Sequence, residues 1–295
     1  MNWRVWVWAA RPPTLSAAIV PVLVGSAVPA SRGHFDGGVF VAALVASLLI
    51  QIGTNYANDL FDGLRGADGP ERLGPPRAVA SGVASPRAMA VATATAFALA
   101  ALAGLYLIFV GGPPILVIGL AAIAIGIAYT GGPYPLGYRG LGELAVFVFM
   151  GLIPVTALDW LHSGMVSAVA LWAALPVGAM VTAILTVNDL RDIEQDRAAG
   201  KRTLAVRLGP TGTGVWYSIL LAVAYLAPPL GWLLGVLPAG ALAPLLTLPL
   251  AIGVGDVVSH RTGRALNAAL RDTARLHLLF GALLAAGMLV SLVGE

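Results

Sequence analysis

The 295-residue chain is 58% hydrophobic and 11% charged, with a mean hydropathy of +0.87, whereas a soluble domain carries about 25% charge. That balance excludes a soluble enzyme and leaves a polytopic membrane protein. The absence of cysteine excludes disulfides, thiolate metal sites and a cysteine nucleophile, and the net charge of +3 matters less than where the bases fall, so no nucleic-acid partner is expected.

The N-terminal MNWRVWVWAA carries one Arg and three Trp. It lacks the charged head, apolar middle and small-residue cleavage site of a signal peptide, in that order, and is expected to stay in the mature chain as an interfacial anchor. Nine apolar stretches then approach the roughly 20 residues that cross a bilayer: 12–30, 38–62, 86–110, 113–131, 141–161, 164–189, 211–235, 238–258 and 273–293. They are continuous rather than alternating, so transmembrane helices win over a barrel. The expected fold is all-α, a multi-pass membrane protein of nine helices forming one domain over residues 1–295.

Nine spans put the N-terminus and the loops after spans 2, 4, 6 and 8 on one side. Sixteen of the seventeen bases then share that side and only Arg32 faces the other. The bias makes the basic side cytoplasmic and places the C-terminus outside the cell membrane.

Span 1 opens with Arg11 and two prolines, which suit a first helical turn. Arg11 reads equally as an orienting charge and as a ligand. Span 2 runs into NYANDLFDGLRGAD, residues 55–68, where Gln51, Asn55, Asn58, Asp59 and Asp62 recur at helical spacing and are expected on one face. Gly63 and Gly66 break the helix and leave Arg65 and Asp68 on a loop. The following ERLGPPRAVASG, residues 71–82, is too polar for the bilayer and reads as an ordered cytoplasmic cap.

Span 4 ends in AYTGGPYPLGYRGLGE, which clusters Tyr129, Tyr134, Tyr138 and Arg139 at the cytoplasmic surface. An aromatic belt explains the tyrosines without any function. Span 6 ends in NDLRDIEQD, where Asn188, Asp192 and Asp196 lie four apart with Asp189 alongside, followed by a basic loop containing the single lysine, Lys201. Asp256, His260, Asn267, Asp272 and His277 form no chemical pattern and read as a polar rim.

Eight of the fourteen acids fall within 59–71 and 189–196, in two motifs 130 residues apart (58 to 188) that emerge on the same face. Grouped carboxylates repel unless something positive binds between them. Oxygen ligands without His or Cys suit Mg²⁺, which commonly bridges a few carboxylates to phosphates, and neighbouring Arg and Lys supply donors for phosphate oxygens. The pattern predicts a metal–diphosphate site at a membrane surface. A cation-coupled carrier of an anionic solute is the rival class, although these acids sit at helix ends rather than at the midplane.

Both acidic stretches, the segment at 128–143, the loop that ends TLAVRLG and the opening RPPTLSAAIVPVLVG closely resemble the UbiA-type membrane prenyltransferases, in the branch (MenA type) that prenylates 1,4-dihydroxy-2-naphthoate for menaquinone. Beyond about residue 210 the likeness is one of hydropathy alone. The resemblance implies helices enclosing a central cavity, a polyprenyl diphosphate held through Mg²⁺ by both motifs, and an aromatic acceptor beside it. In the general NDxxDxxxD motif, Asn58, Asp59 and Asp62 match, Gly66 stands in place of the third acid and Asp68 lies two residues on. In DxxxDxxxD, Asp192 and Asp196 match and Asn188 stands in place of the first acid, so either Asn188 or Asp189 faces the metal. The resemblance further implies that Arg139, Lys201, Arg65 and Arg202 contact the diphosphate and that prenylation accompanies loss of the naphthoate carboxylate; the π face of Tyr129 or Tyr134 is a candidate shield for the allylic cation. Within the family, 4-hydroxybenzoate and homogentisate are the alternative acceptors.

Overall fold

A computed structural model describes residues 3–67 and 72–291. Asp68, expected as a metal ligand, and Glu71 lie outside the described residues. A short helix α1 (Trp3–Ala9) and a 3₁₀ turn (Pro12–Thr14) lead into α2 (Ser16–Ala30). Next come α3 (Gly37–Leu64), α4 (Pro86–Gly111) and α5 (Pro113–Ala128). The fifth apolar stretch folds as α6 (Gly142–Phe147), a π turn (Val148–Leu152) and α7 (Ile153–Ser163). The remainder is α8 (Ala168–Arg191), α9 (Ile193–Ala198), α10 (Leu204–Leu233), a 3₁₀ run (Ala239–Thr247) continuing into α11 (Leu248–His260), and α12 (Leu266–Val290) after a 3₁₀ turn at Gly263–Ala265.

Local chemistry sets these boundaries. Asp36, Ser85, Ser167 and Thr203 each sit one residue ahead of a helix and accept from backbone N–H groups of its first turn, satisfying donors that have no intrahelical partner. Prolines occupy the opening turns of α4 and α5, where a missing N–H costs nothing.

Among the described residues, seven helical segments are long and apolar enough to cross a membrane, or eight if α1 and α2, which meet at 53°, count as one bent span. The apolar stretches predict nine. α5 makes the difference: it is apolar but only 16 residues long, roughly 24 Å at 1.5 Å per residue. The fold is nonetheless an all-α polytopic membrane architecture.

The packed core lies around α8, with Val177, Met180 and Val187 buried against Val20 and Val24 of α2, Tyr217 and Leu220 of α10, and Phe280 and Leu284 of α12. Ala173, Ala174 and Ala179 let these helices approach closely, and Gly178 admits Phe147 and Gly151 of the α6–π-turn segment. On the other side, α3, α4 and α5 stand off from α8 and leave a cavity of about 490 Å³. The cavity follows α3 from Ala43 to Asp62. That length of helix amounts to about 28 Å, close to the hydrocarbon thickness of a bilayer.

Candidate active site at the cavity mouth

The C-terminal ends of α3 and α8 carry the two acidic motifs to the same end of this cavity. Asn55, Asn58 and Asp62 line its wall, as do Asn188, Asp189, Asp192 and Asp196 from the opposite side. Lys201 links them: its Nζ is 3.8 Å from Asp62 Oδ1 and 3.3 Å from Asp196 Oδ1. Tyr138 donates its hydroxyl to Asp62 at 2.8 Å, and Arg77 Nη2 approaches the other Asp62 oxygen at 3.8 Å. Burial, and next the Asp62 carboxylate, hold the Tyr138 phenol far above its ordinary pKa, so it remains a donor. Burial also pushes the Asp196 carboxyl up, with Lys201 pulling against it.

Asp59 parts from its neighbours at the edge of their shared face. Residues 55, 58 and 62 line the cavity, whereas residue 59 lies about 100° round the helix from 58, at the opposite edge of that face. Both Asp59 oxygens accept backbone N–H groups, from Ala78 at 2.9 Å and Val79 at 2.8 Å, and Asp59 does not line the cavity. The expectation of Asp59 as a metal ligand and catalytic acid therefore gives way to an anchor for the capping strap. Asn55 also has a local task alongside its place in the wall, donating to Ala10 O at 2.8 Å and Thr14 Oγ1 at 3.1 Å. Asn58 accepts from Thr130 Oγ1 at 2.9 Å.

The second motif departs from one continuous helix. Asp192 (φ −96°, ψ 9°) ends α8, and α9 begins at Ile193. The i to i−4 bonds survive the break, Asp192 N to Asn188 O at 3.2 Å and Asp196 N to Asp192 O at 2.8 Å, so the four-residue spacing still delivers these side chains to one site. The break brings Arg191 round onto its own neighbour: Nε and Nη2 donate to the two Asp192 oxygens at 2.7 and 2.5 Å. Nη2 also donates to Asn188 Oδ1 at 2.9 Å and Nη1 to Asn267 Oδ1 at 3.1 Å. Asn188 Nδ2 in turn donates to Asp189 at 3.3 Å.

The other expected ligands divide. Lys201, Arg11 and Tyr129 line the cavity. Arg11 is the one non-glycine residue with positive φ among the described residues (φ 53°), a strained state typical of functional positions. Arg65 instead donates to the carbonyls of Thr130 and Gly132 and lies 5.1 Å from the Tyr138 ring centre, fastening the turn after α5. Arg139 rests 4.6 Å over the ring of the exposed Tyr134. Arg139 and Arg202 line a separate surface pocket of about 310 Å³ beyond Tyr138. Arg65, Arg139, Arg202 and Tyr134 are thus absent from the cavity wall; the Gly/Pro turn carries Tyr134 and Arg139 outward while Tyr138 points in. Residues passed over as site candidates take their places: Tyr138, Arg191, and Arg72 and Arg77 on the strap, the last two lining the cavity. The strap's high Arg content is the one signal that could have found them.

The donor set suits a hard cation: carboxylate and amide oxygens, with no His or Cys in the wall. Among the described residues no three acidic or histidine side chains come together as a closed metal cage. Mg²⁺ does not require one, since it is usually held by one or two carboxylates plus substrate phosphates and water. An ammonium already bridging Asp62 and Asp196 demonstrates that the two motifs are near enough to share a cation.

Below the mouth the walls are apolar, ending at Leu107, Ile115, Leu158 and Leu161. The π turn presents Phe149 and Met150 to this space, a common use of π bulges. Leu105 of α4 and Leu116 and Leu120 of α5 line the cavity and are exposed.

A polar, cation-bridged mouth over an apolar cavity defines a membrane-embedded protein that handles an anionic head with a lipid tail. The chain belongs to the UbiA prenyltransferase family, which it matches over residues 18–280, and is an enzyme of that class. It is 42% identical to 1,4-dihydroxy-2-naphthoate octaprenyltransferase of Mycobacterium tuberculosis over 285 residues, 96% of each chain. It also superposes on the apo structure of a UbiA homolog from Aeropyrum pernix K1 (TM-score 0.70, 20% identity, 93% of this chain and 97% of that one). A UbiA homolog from Archaeoglobus fulgidus bound to GPP and Mg²⁺ gives a TM-score of 0.68 at 16% identity, covering 97% and 99%. The structural likenesses speak for the fold. The family match also runs well past residue 210, where the sequence on its own shows only a likeness of hydropathy.

Proposed function

We propose that the protein transfers a polyprenyl group from polyprenyl diphosphate to 1,4-dihydroxy-2-naphthoate, with Mg²⁺ at the cavity mouth. Residues 1–295 act as one catalytic unit of nine membrane segments, α5 being the short one, with the N-terminus and mouth cytoplasmic and the C-terminus outside. The observation that carries this reading is the convergence of Asp62 and Asp196 on one cation at the entrance to an apolar cavity. The acceptor follows from the naphthoate-specific relative.

Asn58, Asp62, Asn188, Asp189, Asp192 and Asp196 are the candidate holders of the metal, and Arg11, Arg72, Arg77 and Lys201 the candidate diphosphate ligands. Mg²⁺, when bound, neutralises the diphosphate and makes it a better leaving group. The bases beside it stabilise the negative charge as the allylic C–O bond breaks and its electron pair leaves with the diphosphate. An electron-rich ring carbon then forms the C–C bond. The proton lost as the ring regains aromaticity is balanced by the one taken up where carbon dioxide departs. Apolar walls keep water from the cation, and the Tyr129 ring in the wall is placed to face it. The apolar walls below the mouth suit a prenyl tail.

Purified protein in detergent, given Mg²⁺, dihydroxynaphthoate and a labelled prenyl diphosphate, is expected to yield prenylated naphthoquinol and free diphosphate. Product with 4-hydroxybenzoate or homogentisate but none with the naphthoate would reject the acceptor. No prenyl transfer to any of them from a folded preparation would reject the activity.

A further inference from the structure

The capping strap, residues 72–82, is docked at two places. At its far end Asp59 takes the N–H groups of Ala78 and Val79, and Gly63 makes room for it, since a Cβ there would lie 2.8 Å from Val79 Cγ1. At its near end the partners belong to the second motif and to α12. Asn267 Nδ2 donates to Leu73 O at 3.0 Å, and Gln195 Oε1 faces Leu73 N at 3.5 Å. Gly74 lies directly on the Arg191 guanidinium, where a Cβ would come within 2.9 Å of Nη2. Alongside these docking points Arg72 and Arg77 reach the cavity.

Asn267 is the hinge pin of the near end. Its amide nitrogen holds the strap while its oxygen accepts from Arg191, whose other donors hold Asp192 and Asn188. Arg191 is 2% exposed, and a buried guanidinium is fixed by its acceptors because leaving any donor unmet is costly. One amide thus joins Leu73 of the strap to Asp192 of the motif through two hydrogen bonds and one ion pair.

We propose that Asn267 is a positioning residue that couples the seating of the strap to the order of the second acidic motif, so that the strap arginines close over the diphosphate only when that motif is set. The proposal rests on the metal–diphosphate reading of the mouth and is independent of the acceptor. Asn267 touches neither metal nor substrate. It acts through Leu73 and Arg191.

The two bonds can be separated. Asn267→Asp keeps the acceptor for Arg191 and removes the donor to Leu73, whereas Asn267→Ala removes both. The strap side is tested independently by Gly74→Val, which crowds the pinned guanidinium without altering α12. For Asn267→Asp and Gly74→Val, tryptic cleavage at Arg72 and Arg77 is expected to accelerate about tenfold. KM for the prenyl diphosphate should rise about tenfold, with kcat and the acceptor KM within about threefold. Asn267→Ala should add a fall in kcat, as Asp192 loses its bracing. Protection of the strap by Mg²⁺ with inorganic diphosphate, strong in the wild type, should be lost in both strap variants. That proteolysis readout needs no turnover, so a wrong acceptor would leave it intact. Wild-type cleavage rates and an unchanged diphosphate KM in Asn267→Asp, or in Gly74→Val should Asn267→Asp not fold, would overturn the coupling.

Discussion

Two groups of buried acid in this protein do opposite things. Near the ends of α2, α7 and α8 remote from the mouth, Asp159 is fully buried and saturated: it takes Arg32, the Ser167 N–H at 2.7 Å, the Ser167 hydroxyl at 2.6 Å and Ser163 Oγ at 3.4 Å. Every donor is local to that end of the molecule, and the group does not line the cavity. At the mouth, Asp62 and Asp196 line open space and meet Lys201 at 3.8 and 3.3 Å. These are longer, looser contacts from a side chain that can yield to another cation. Asp159 pins three helices; the mouth acids hold charge in readiness. Burial alone therefore does not mark function in a membrane protein, whereas incomplete, cavity-facing satisfaction does.

Substitution should separate the two groups. Asp62→Ala is expected to lower turnover on the order of a thousandfold or more while the thermal transition moves little; Asp192→Ala should lower turnover as far but also lower the thermal transition, because it strands the buried Arg191, and near-normal activity in either would break the comparison. Asp159→Ala should do the reverse. Stranding Arg32 is expected to cost about 3–5 kcal/mol of stability, read as a lower thermal transition in detergent, with turnover per folded molecule nearly unchanged. Lys201→Met removes the cation between the motifs and should reduce kcat/KM about ten- to hundredfold, the worth of a charge-assisted hydrogen bond. Arg139→Ala, outside the cavity and stacked on an exposed Tyr134, should shift the diphosphate KM by less than about threefold. A larger change would return Arg139 to the site.

Periodicity makes the spans and both motifs legible, because runs of apolar residues and acids four apart translate directly into helices and faces. It fails where the helix does. Arg191 and Asp192 are adjacent, and adjacent residues on a helix do not face each other. Only the break at Asp192 lets Arg191 grip it, and nothing in NDLRD announces a break. Asp59 is misplaced for a related reason: one residue of offset turns its carboxylate from the cavity to the strap. Asn267 reads as part of a polar rim, since its partners Leu73 and Arg191 are 194 and 76 residues away in sequence. Outward-facing Arg139 depends on the path of a Gly/Pro turn, which composition alone leaves open.

That both acidic motifs build one metal–diphosphate site is tested most directly by a double-mutant cycle on Asp62→Asn and Asp196→Asn, read as the affinity for a non-reactive prenyl thiodiphosphate in the presence of Mg²⁺. A shared site predicts that each single substitution weakens binding strongly and that the double variant is within about threefold of the weaker single, because the second loss falls on a site already broken. Losses that multiply, or an affinity that neither substitution changes, would contradict it.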